Sequence, residues 1–494
     1  MNPARWPVPG QLLLAFAAGA ACVLAFAPFG MGLVAPLALA VLFFLWRHPA
    51  RRGLNTWTGY AFGLGLMGLG VFWLRISIAQ FGGIPMPLAV VITLGFSLLM
   101  ALYFALAGWL GERLRPGSDW LWLALVLPAV WVLLEWLRGW LFTGFPWLLL
   151  GYSQIDLPTA GYGPVLGVYG ISLVVGISAG LLNLRPRLPA ALCLFALWAG
   201  GLALQQVEWS EPAGDPVRVS LLQGNIPQEQ KWRPSMRAAT LDLYRALTET
   251  VADSRLVVWP ETAVPAFAAE VEASLLAPLD TQLREQGRDL LLGVVDGARD
   301  GDYYNAMLSL GASGRDHYYK RHLVPFGEYL PFDQWTRPVL DFLRIPMSDF
   351  SPGSDRKPLL TLGGHEIGIN ICYEDAYGDE IRAALPDAAF LINASNDAWF
   401  GDSLAPHQHL QIARMRALES ARYLLRATNT GISAIIDERG RLSGTSPQFA
   451  RAVLSEDITP LSGATPFVWW GNVAVIVLAG LMLLPGVLRQ RAGG

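Results

Sequence analysis

Apolar and polar positions follow two different rhythms along this chain. Through the first 205 residues the apolar positions run on with few interruptions and gather into seven stretches, roughly 11–28, 30–46, 56–74, 87–110, 120–136, 162–184 and 189–205. An eighth covers 468–488. A hydrocarbon core ~30 Å thick needs about 20 such residues as a helix. The pattern therefore predicts a polytopic α-helical membrane domain of eight transmembrane helices. Phe26, Pro28 and Phe29 follow the first stretch where a removed signal peptide would carry small residues, so it is read as a retained span.

Between 206 and 466 the rhythm changes. Short, partly β-branched apolar runs at 217–223, 256–260, 290–295, 306–310, 367–372, 389–393 and 432–437 read as buried strands. Stretches 234–252, 271–286 and 406–427 carry helical spacing with charged faces. Strands alternating with helices predict an α/β layered domain with helices covering sheet. The expected division is a membrane part at 1–205, a soluble domain at 206–466 and a last span with its tail at 467–494.

Composition agrees. Of 494 residues, 53% are hydrophobic and 15% charged, more apolar surface than one soluble core needs. Residues 206–466 hold 35 acidic and 24 basic side chains, against 4 and 12 in the rest of the chain. The acidic middle disfavours nucleic acid as a partner. Arginine sets the orientation. Arg5, the group Arg47, Arg51 and Arg52, the pairs Arg113/Arg115 and Arg185/Arg187, and Arg489 with Arg491 fall on one side if eight helices alternate, leaving only Arg75 and Arg138 opposite. Both termini are then cytoplasmic and the soluble domain lies outside, which in a bacterial inner membrane is the periplasm.

The chemistry gathers at three predicted strand ends. Glu261 follows Leu256-Val-Val-Trp-Pro260; Lys320 opens a segment running to Glu328; Cys372 ends Ile367-Gly-Ile-Asn-Ile and precedes Tyr373, Glu374 and Asp375. A cysteine attacks an acyl carbonyl as thiolate, so it needs a base, and Glu261 beside Trp259 and Pro260 suits that role. Lys320 supplies a fixed cation for the developing oxyanion, and Glu328 would orient the lysine or the base. The plainer alternative for a strand-end cysteine is a small buried hydrophobe. Yet Cys22 and Cys193 lie in spans, so Cys372 is the one thiol of the exported domain, and Lys320 is one of three lysines, with Lys231 and Lys357.

Other patterns compete. Gly63, Gly65 and Gly68 fit a dinucleotide-binding string but lack the preceding strand, and they read as small residues for helix packing. Glu135 either pairs with Arg138 or lines a substrate cavity. Gly401-Asp-Ser403-Leu lacks the late Asp-x-x-His of an esterase, and the chain is read as having no G-x-S-x-G elbow. His407 and His409 read as capping or surface residues rather than zinc ligands. No metal and no cofactor is expected. The segment 325–352 is rich in aromatics, among them Trp335 and Phe342; with Trp232 and Trp399-Phe400 it reads as a lid dipping into the outer leaflet, the alternative being satellite core under a loop.

Glu261, Lys320 and Cys372 with their flanking residues resemble the Glu-Lys-Cys triad of the nitrilase, or carbon–nitrogen hydrolase, superfamily, whose fold is an αββα sandwich. A narrower resemblance covers essentially the whole chain. Leu24-Ala-Phe-Ala-Pro-Phe-Gly30, Glu135-Trp-Leu-Arg-Gly139, Gly144-Phe-Pro-Trp147, Leu222-Gln-Gly-Asn-Ile-Pro-Gln228 with Lys231-Trp232, and Asn396-Asp-Ala-Trp-Phe-Gly401 resemble the apolipoprotein N-acyltransferase family. That resemblance implies Glu261 as base, Lys320 as oxyanion and orienting group and Cys372 as nucleophile. Glu328 matches the second acidic residue, Tyr373 and Glu374 the positions after the cysteine, and Trp232 an aromatic on a mobile loop. It implies a ping-pong reaction in which Cys372 takes the sn-1 acyl chain of a phospholipid, phosphatidylethanolamine, and passes it to the α-amino group of the diacylglyceryl-cysteine of an apolipoprotein. Two alternatives stand beside it: a membrane-anchored amidohydrolase with water as acceptor, and a catalytically dead transporter or scaffold.

Overall fold

The computed structural model describes residues 6–80, 82–298, 301–334, 336–337, 349–354 and 357–492. The chain divides into two compact units, one comprising Met1–Arg75, Pro85–Glu208 and Trp469–Gly494, the other Ile76–Ile84 and Trp209–Val468.

The first unit is helical. Among the described residues six helices are long and apolar enough to cross a membrane: Val8–Ala25, Met86–Arg113, Asp119–Arg138, Pro158–Leu182, Arg187–Leu204 and Val473–Gln490. The other two predicted spans differ from expectation. The helix Leu54–Gly70 meets Leu74–Gln80 at a 52° bend, and Val34–Arg47 is a shorter apolar helix of 14 residues, which rises only ~21 Å. Counting apolar residues missed both breaks, because Val71–Trp73 and the turn before Val34 are as apolar as the helices they interrupt.

Close packing explains the glycine string. A methyl group on Gly63 would meet the Phe104 ring at 2.6 Å, and one on Gly65 would meet the Phe16 carbonyl at 2.2 Å. Gly68 has open space, so two of the three glycines carry the packing role. One G-x-S-x-G string does occur, Gly176-Ile177-Ser178-Ala179-Gly180, correcting the reading that the chain has none. It lies inside the helix Gly163–Leu182, where Ser178 Oγ donates to the Val174 carbonyl at 2.8 Å, so it forms no elbow.

Glu135 and Arg138 are both buried on the helix Leu127–Arg138. Arg138 donates to the carbonyls of Phe145 and Trp147 at 3.1 and 2.6 Å, while Glu135 accepts from Trp131 Nε1 and the Leu150 N–H, each at 3.0 Å. The two side chains hold the irregular stretch that follows their helix instead of closing on each other.

The second unit is a four-layer sandwich. One sheet runs Ala452–Ile458, Val217–Gln223, Leu256–Val258, Asp289–Gly297, Tyr303–Gly311, Asp316–Tyr319, with Val264–Phe267 paired to Asp289–Gly297. The other runs Leu442–Thr445, Ala434–Ile436, Leu424–Thr428, Leu391–Ser395, His365–Ile371, Leu359–Leu362. Alternation along each strand assigns its two faces. Leu256, Val258 and Leu291 meet Ile369, Ile371 and Ile392 between the sheets. Val257, Leu290 and Leu292 face the helices, joining Tyr244 of Pro234–Glu249 and Leu279 of Ala277–Glu285. On the far side Leu391 and Leu424 pack on Leu410, Ala413 and Ala417 of Ala405–Ser420. This is the αββα arrangement expected from the resemblance.

The helix predicted over 406–427 is a correction. It ends at Ser420, Ala421 takes a left-handed φ of 50°, and Leu424–Thr428 becomes a strand parallel to Leu391–Ser395. Helix and strand are both buried throughout, so no change in apolar density marks the boundary.

Candidate active site

Glu261, Lys320 and Cys372 each lie just beyond a strand, and the sandwich brings them together. Glu261 follows Leu256–Val258 through Trp259 and Pro260. The backbone here passes so close to the neighbouring strand that a methyl on Gly293 would lie 2.4 Å from both the Pro260 oxygen and the Thr262 nitrogen. Only glycine permits that approach. Trp259, next but one before Glu261, is turned into the helix-facing core. Its ring stacks on Tyr244 in the helix-facing core and its Nε1 donates to Thr248 Oγ1.

Lys320 follows Asp316–Tyr319 and its N–H still donates to the Asn305 carbonyl, which extends the pairing with the adjacent strand. Its ammonium is 1% exposed and lies 2.9 and 2.8 Å from the two Glu328 carboxylate oxygens and 3.7 Å from Glu261 Oε1. Burial pulls the lysine pKa down, but the Glu328 and Glu261 carboxylates outweigh it and hold the ammonium charged. Glu328 also accepts the Val324 N–H at 2.8 Å, so it is fixed from both sides.

Cys372 caps the strand His365–Ile371 and begins the turn Cys372–Ala376 with a left-handed φ of 51°. A non-glycine residue takes that conformation rarely, at about 1–3 kcal/mol. Its thiol is buried; burial and then the Glu261 charge push its pKa up, against a downward pull from Lys320. The resting group is therefore a protonated thiol within the field of one carboxylate and one ammonium, a nucleophile that needs a base to act.

Glu374 ties two strand ends together. Its Oε2 accepts the Ile371 N–H at 2.7 Å, while Oε1 accepts the N–H groups of Arg321 and His322 and the Tyr318 hydroxyl at 2.7, 3.1 and 2.8 Å. The residues flanking the thiol and the ammonium thus share one carboxylate. Burial raises its pKa to about 7. Tyr373 Oη accepts from Tyr377 Oη at 2.9 Å, and its ring meets His322 edge-on.

Sequence reasoning missed several groups. Asn305 donates Nδ2 to Glu261 Oε1 at 2.7 Å and to Glu328 Oε1 at 2.9 Å, bridging the two acids. Behind Cys372 lies a buried network in which Arg426 bonds Asp375 at 3.2 Å, Asp397 at 2.9 Å and the Asn393 side-chain oxygen at 2.6 Å, while Asn393 Nδ2 donates to the Cys372 carbonyl at 3.0 Å. His409 belongs to it, correcting the surface or capping reading. It is buried with Nε2 2.8 Å from Asp375 and Nδ1 3.1 Å from Asp397. Burial and Arg426 pull His409 down, but the carboxylates outweigh them and raise its pKa. Ser403 is no nucleophile here: its Oγ accepts the Ala405 N–H at 3.2 Å at the start of Ala405–Ser420.

The candidate lid is described only in part. Trp232 is 50% and Trp399 37% exposed, and Phe400 is half-buried; Trp335 and Phe342 lie outside the described residues. Ser77 Oγ donates to the Trp399 carbonyl at 2.6 Å, anchoring that turn.

A family profile described as the apolipoprotein N-acyltransferase N-terminal domain matches residues 18–181, and the carbon–nitrogen hydrolase profile matches residues 218–466. The chain is 48% identical over 491 residues to an apolipoprotein N-acyltransferase of Methylococcus capsulatus, covering 97% of this chain and 96% of that one. It is 46% identical over 490 residues to one of Nitrosomonas europaea, covering 98% of each. Among solved structures, a carbon–nitrogen hydrolase from Helicobacter pylori G27 aligns with a TM-score of 0.38 at 15% identity, over 50% of this chain and 89% of that one.

Proposed function

The chain belongs to the apolipoprotein N-acyltransferase family, and from that membership we propose a mechanism for its own residues. It is a bacterial membrane protein and an acyltransferase of lipoprotein N-acylation, built on a carbon–nitrogen hydrolase domain. A phospholipid and a lipoprotein are its substrates.

In the proposed cycle Glu261 takes the Cys372 proton as sulfur attacks the sn-1 ester carbonyl of phosphatidylethanolamine. The ester C–O bond breaks, the leaving alkoxide recovers the proton from Glu261, and lysophospholipid departs. The α-amino nitrogen of a diacylglyceryl-cysteine then attacks the thioester; the C–S bond breaks, and the amine proton passes through Glu261 to the thiolate. Lys320 faces the carbonyl oxygen in both tetrahedral states, and Glu328 holds Lys320. Residues 206–466 form the periplasmic domain, flanked by 1–205 and 467–494 in eight spans with both termini cytoplasmic, as the arginine distribution indicates. Trp232, Trp399 and Phe400 form the lid past which an acyl chain enters. Water as acceptor is less supported, since relatives named for N-acyl transfer match over nearly the whole chain.

The observation that carries this reading is the buried ammonium of Lys320 between two carboxylates, beside a protonated thiol. Incubation with phospholipid labelled in its acyl chain should leave label on Cys372 that hydroxylamine releases. Cys372→Ala should take up none while remaining folded, and label retained by that variant would sink the assignment. Glu261→Gln and Lys320→Ala should each slow labelling by roughly 10²-fold or more.

A further inference from the structure

The buried charges around Glu261 do not balance within the Glu-Lys-Cys set. Lys320 is committed to Glu328 at 2.8 Å and reaches Glu261 only at 3.7 Å, so one ammonium faces two carboxylates. Glu261 Oε1 is held by Asn305, and its Oε2 is buried without a hydrogen-bond partner among the described residues. A buried carboxylate so placed calls for a second positive charge nearby, because a buried charge needs a compensating partner.

Such a charge is present on another element. Lys231 ends the short helix Gln228–Lys231 and is 2% exposed. Its Nζ donates to the Glu261 carbonyl at 3.2 Å and to Thr262 Oγ1 at 2.7 Å. Thr262 takes a left-handed φ of 45°, so the lysine clasps the turn that aims the Glu261 side chain. From the same helix Gln228 Oε1 accepts from Asn396 Nδ2 at 2.8 Å, which fixes the helix to the turn carrying Trp399. Burial lowers the Lys231 pKa to about 8 while the Glu261 charge opposes the fall, so the two groups sense each other and the lysine is still cationic at neutral pH.

We infer that Lys231 is a positioning residue for the reaction: docked on the Glu261–Thr262 backbone, it holds the turn that aims the Glu261 side chain and sets a second positive charge beside it while Lys320 is committed to Glu328. The inference rests on the reading of Glu261 as base. The charged and titratable groups around Glu261 are Lys320 beyond Asp316–Tyr319, Glu328 through Asn305, the Cys372 thiol beyond His365–Ile371, and Lys231; Glu374 acts on Lys320, and Asp397 on Cys372.

The test is the rate of Cys372 acylation by labelled phospholipid from pH 5 to 9, in the full chain. With Lys231→Met, loss of that charge should move the acid limb of the rate up by about 1–3 pH units, with the rate converging on wild type toward pH 9. Lys231→Arg, which keeps the charge, should hold the limb near its wild-type place. If Lys231→Met does not fold, Lys231→Gln retains a donor for the Glu261 carbonyl and carries the same comparison. A rate that falls equally at every pH, or an unmoved limb, overturns the charge role and leaves Lys231 as packing. Glu261→Gln separates the two readings. If it acylates at the wild-type rate, Glu261 is not the base; if it is inactive and the Lys231 variants keep the wild-type limb, only the present inference falls.

Discussion

Buried charged side chains serve opposite ends in the two units. In the helical unit Arg138 donates to the carbonyls of Phe145 and Trp147, and Glu135 accepts the Leu150 N–H together with the Trp131 indole N–H, so both are tied to backbone and neither bonds the other. The stretch they hold is irregular, with short 3-10 turns at Leu141–Thr143 and Leu150–Gln154 and left-handed residues at Phe142, Thr143 and Leu148. Buried irregular backbone has neither a helix ladder nor a sheet partner to satisfy it, so side chains must. In the α/β unit Glu261, Lys320 and Glu328 are bonded largely to one another and to Asn305. Groups tied to backbone fix a shape, whereas groups tied to each other can shift charge when a substrate arrives.

The sharpest way to break this contrast is Arg138→Leu. It leaves two buried carbonyls without a donor and Glu135 without a compensating charge. Stability should fall by about 2–4 kcal/mol, measured by denaturation in detergent. The molecules that remain folded should acylate at the wild-type rate. A large loss of turnover with unchanged stability would show that Arg138 acts on substrate, and the contrast would fail.

A smaller effect probes the other side. Asn305→Ala removes the amide shared by Glu261 and Glu328, and about tenfold in acylation rate is expected, ~1.4 kcal/mol. Asn305→Asp should be worse than Asn305→Ala, since it sets a third carboxylate between two others. Equal rates in the two variants would mean that Asn305 fills space rather than orienting charge.

What could be read from sequence divides along the same line. The αββα core was legible because Leu256–Val258 and the run 290–295 are unbroken apolar stretches buried on both faces. Ala452–Ile458 was not, since it lies at a sheet edge and its Ser455-Glu456-Asp457 reads as loop. Glu261, Lys320 and Cys372 announce themselves at strand ends inside distinctive flanks. Asn305 does not: a lone amide within Tyr303–Gly311 carries no spacing signal, and its role exists only once Glu261 and Glu328, from segments on either side of it in the chain, meet beside it. The same holds for Asp375, Asp397, His409 and Arg426, which are scattered over some fifty positions and meet only beneath Cys372. In the helical unit apolar density gave the helices but not their breaks, because broken and continuous stretches are equally apolar.

The smallest predicted effect concerns exposed aromatic rings, where the two units differ again. Exposed Trp57, Trp109 and Phe195 of the helical unit need no further explanation, because a helix facing lipid is apolar on its outside. Trp232 and Trp399 belong to the α/β unit, where an exposed indole is an anomaly unless it meets something apolar. Their neighbours hold them in place: Lys231 beside Trp232 docks on the Glu261 turn, and Ser77 holds the Trp399 carbonyl. If these rings admit an acyl chain from a bilayer, replacing both with serine should slow acylation by bilayer phospholipid roughly three- to tenfold, the scale of about 1 kcal/mol of lost apolar contact. Acylation by a short-chain, water-soluble ester should change little, because that donor has no long chain to thread past them. Equal losses on the two donors would assign the rings to the support of the cleft and would remove the distinction between the aromatic surfaces of the two units.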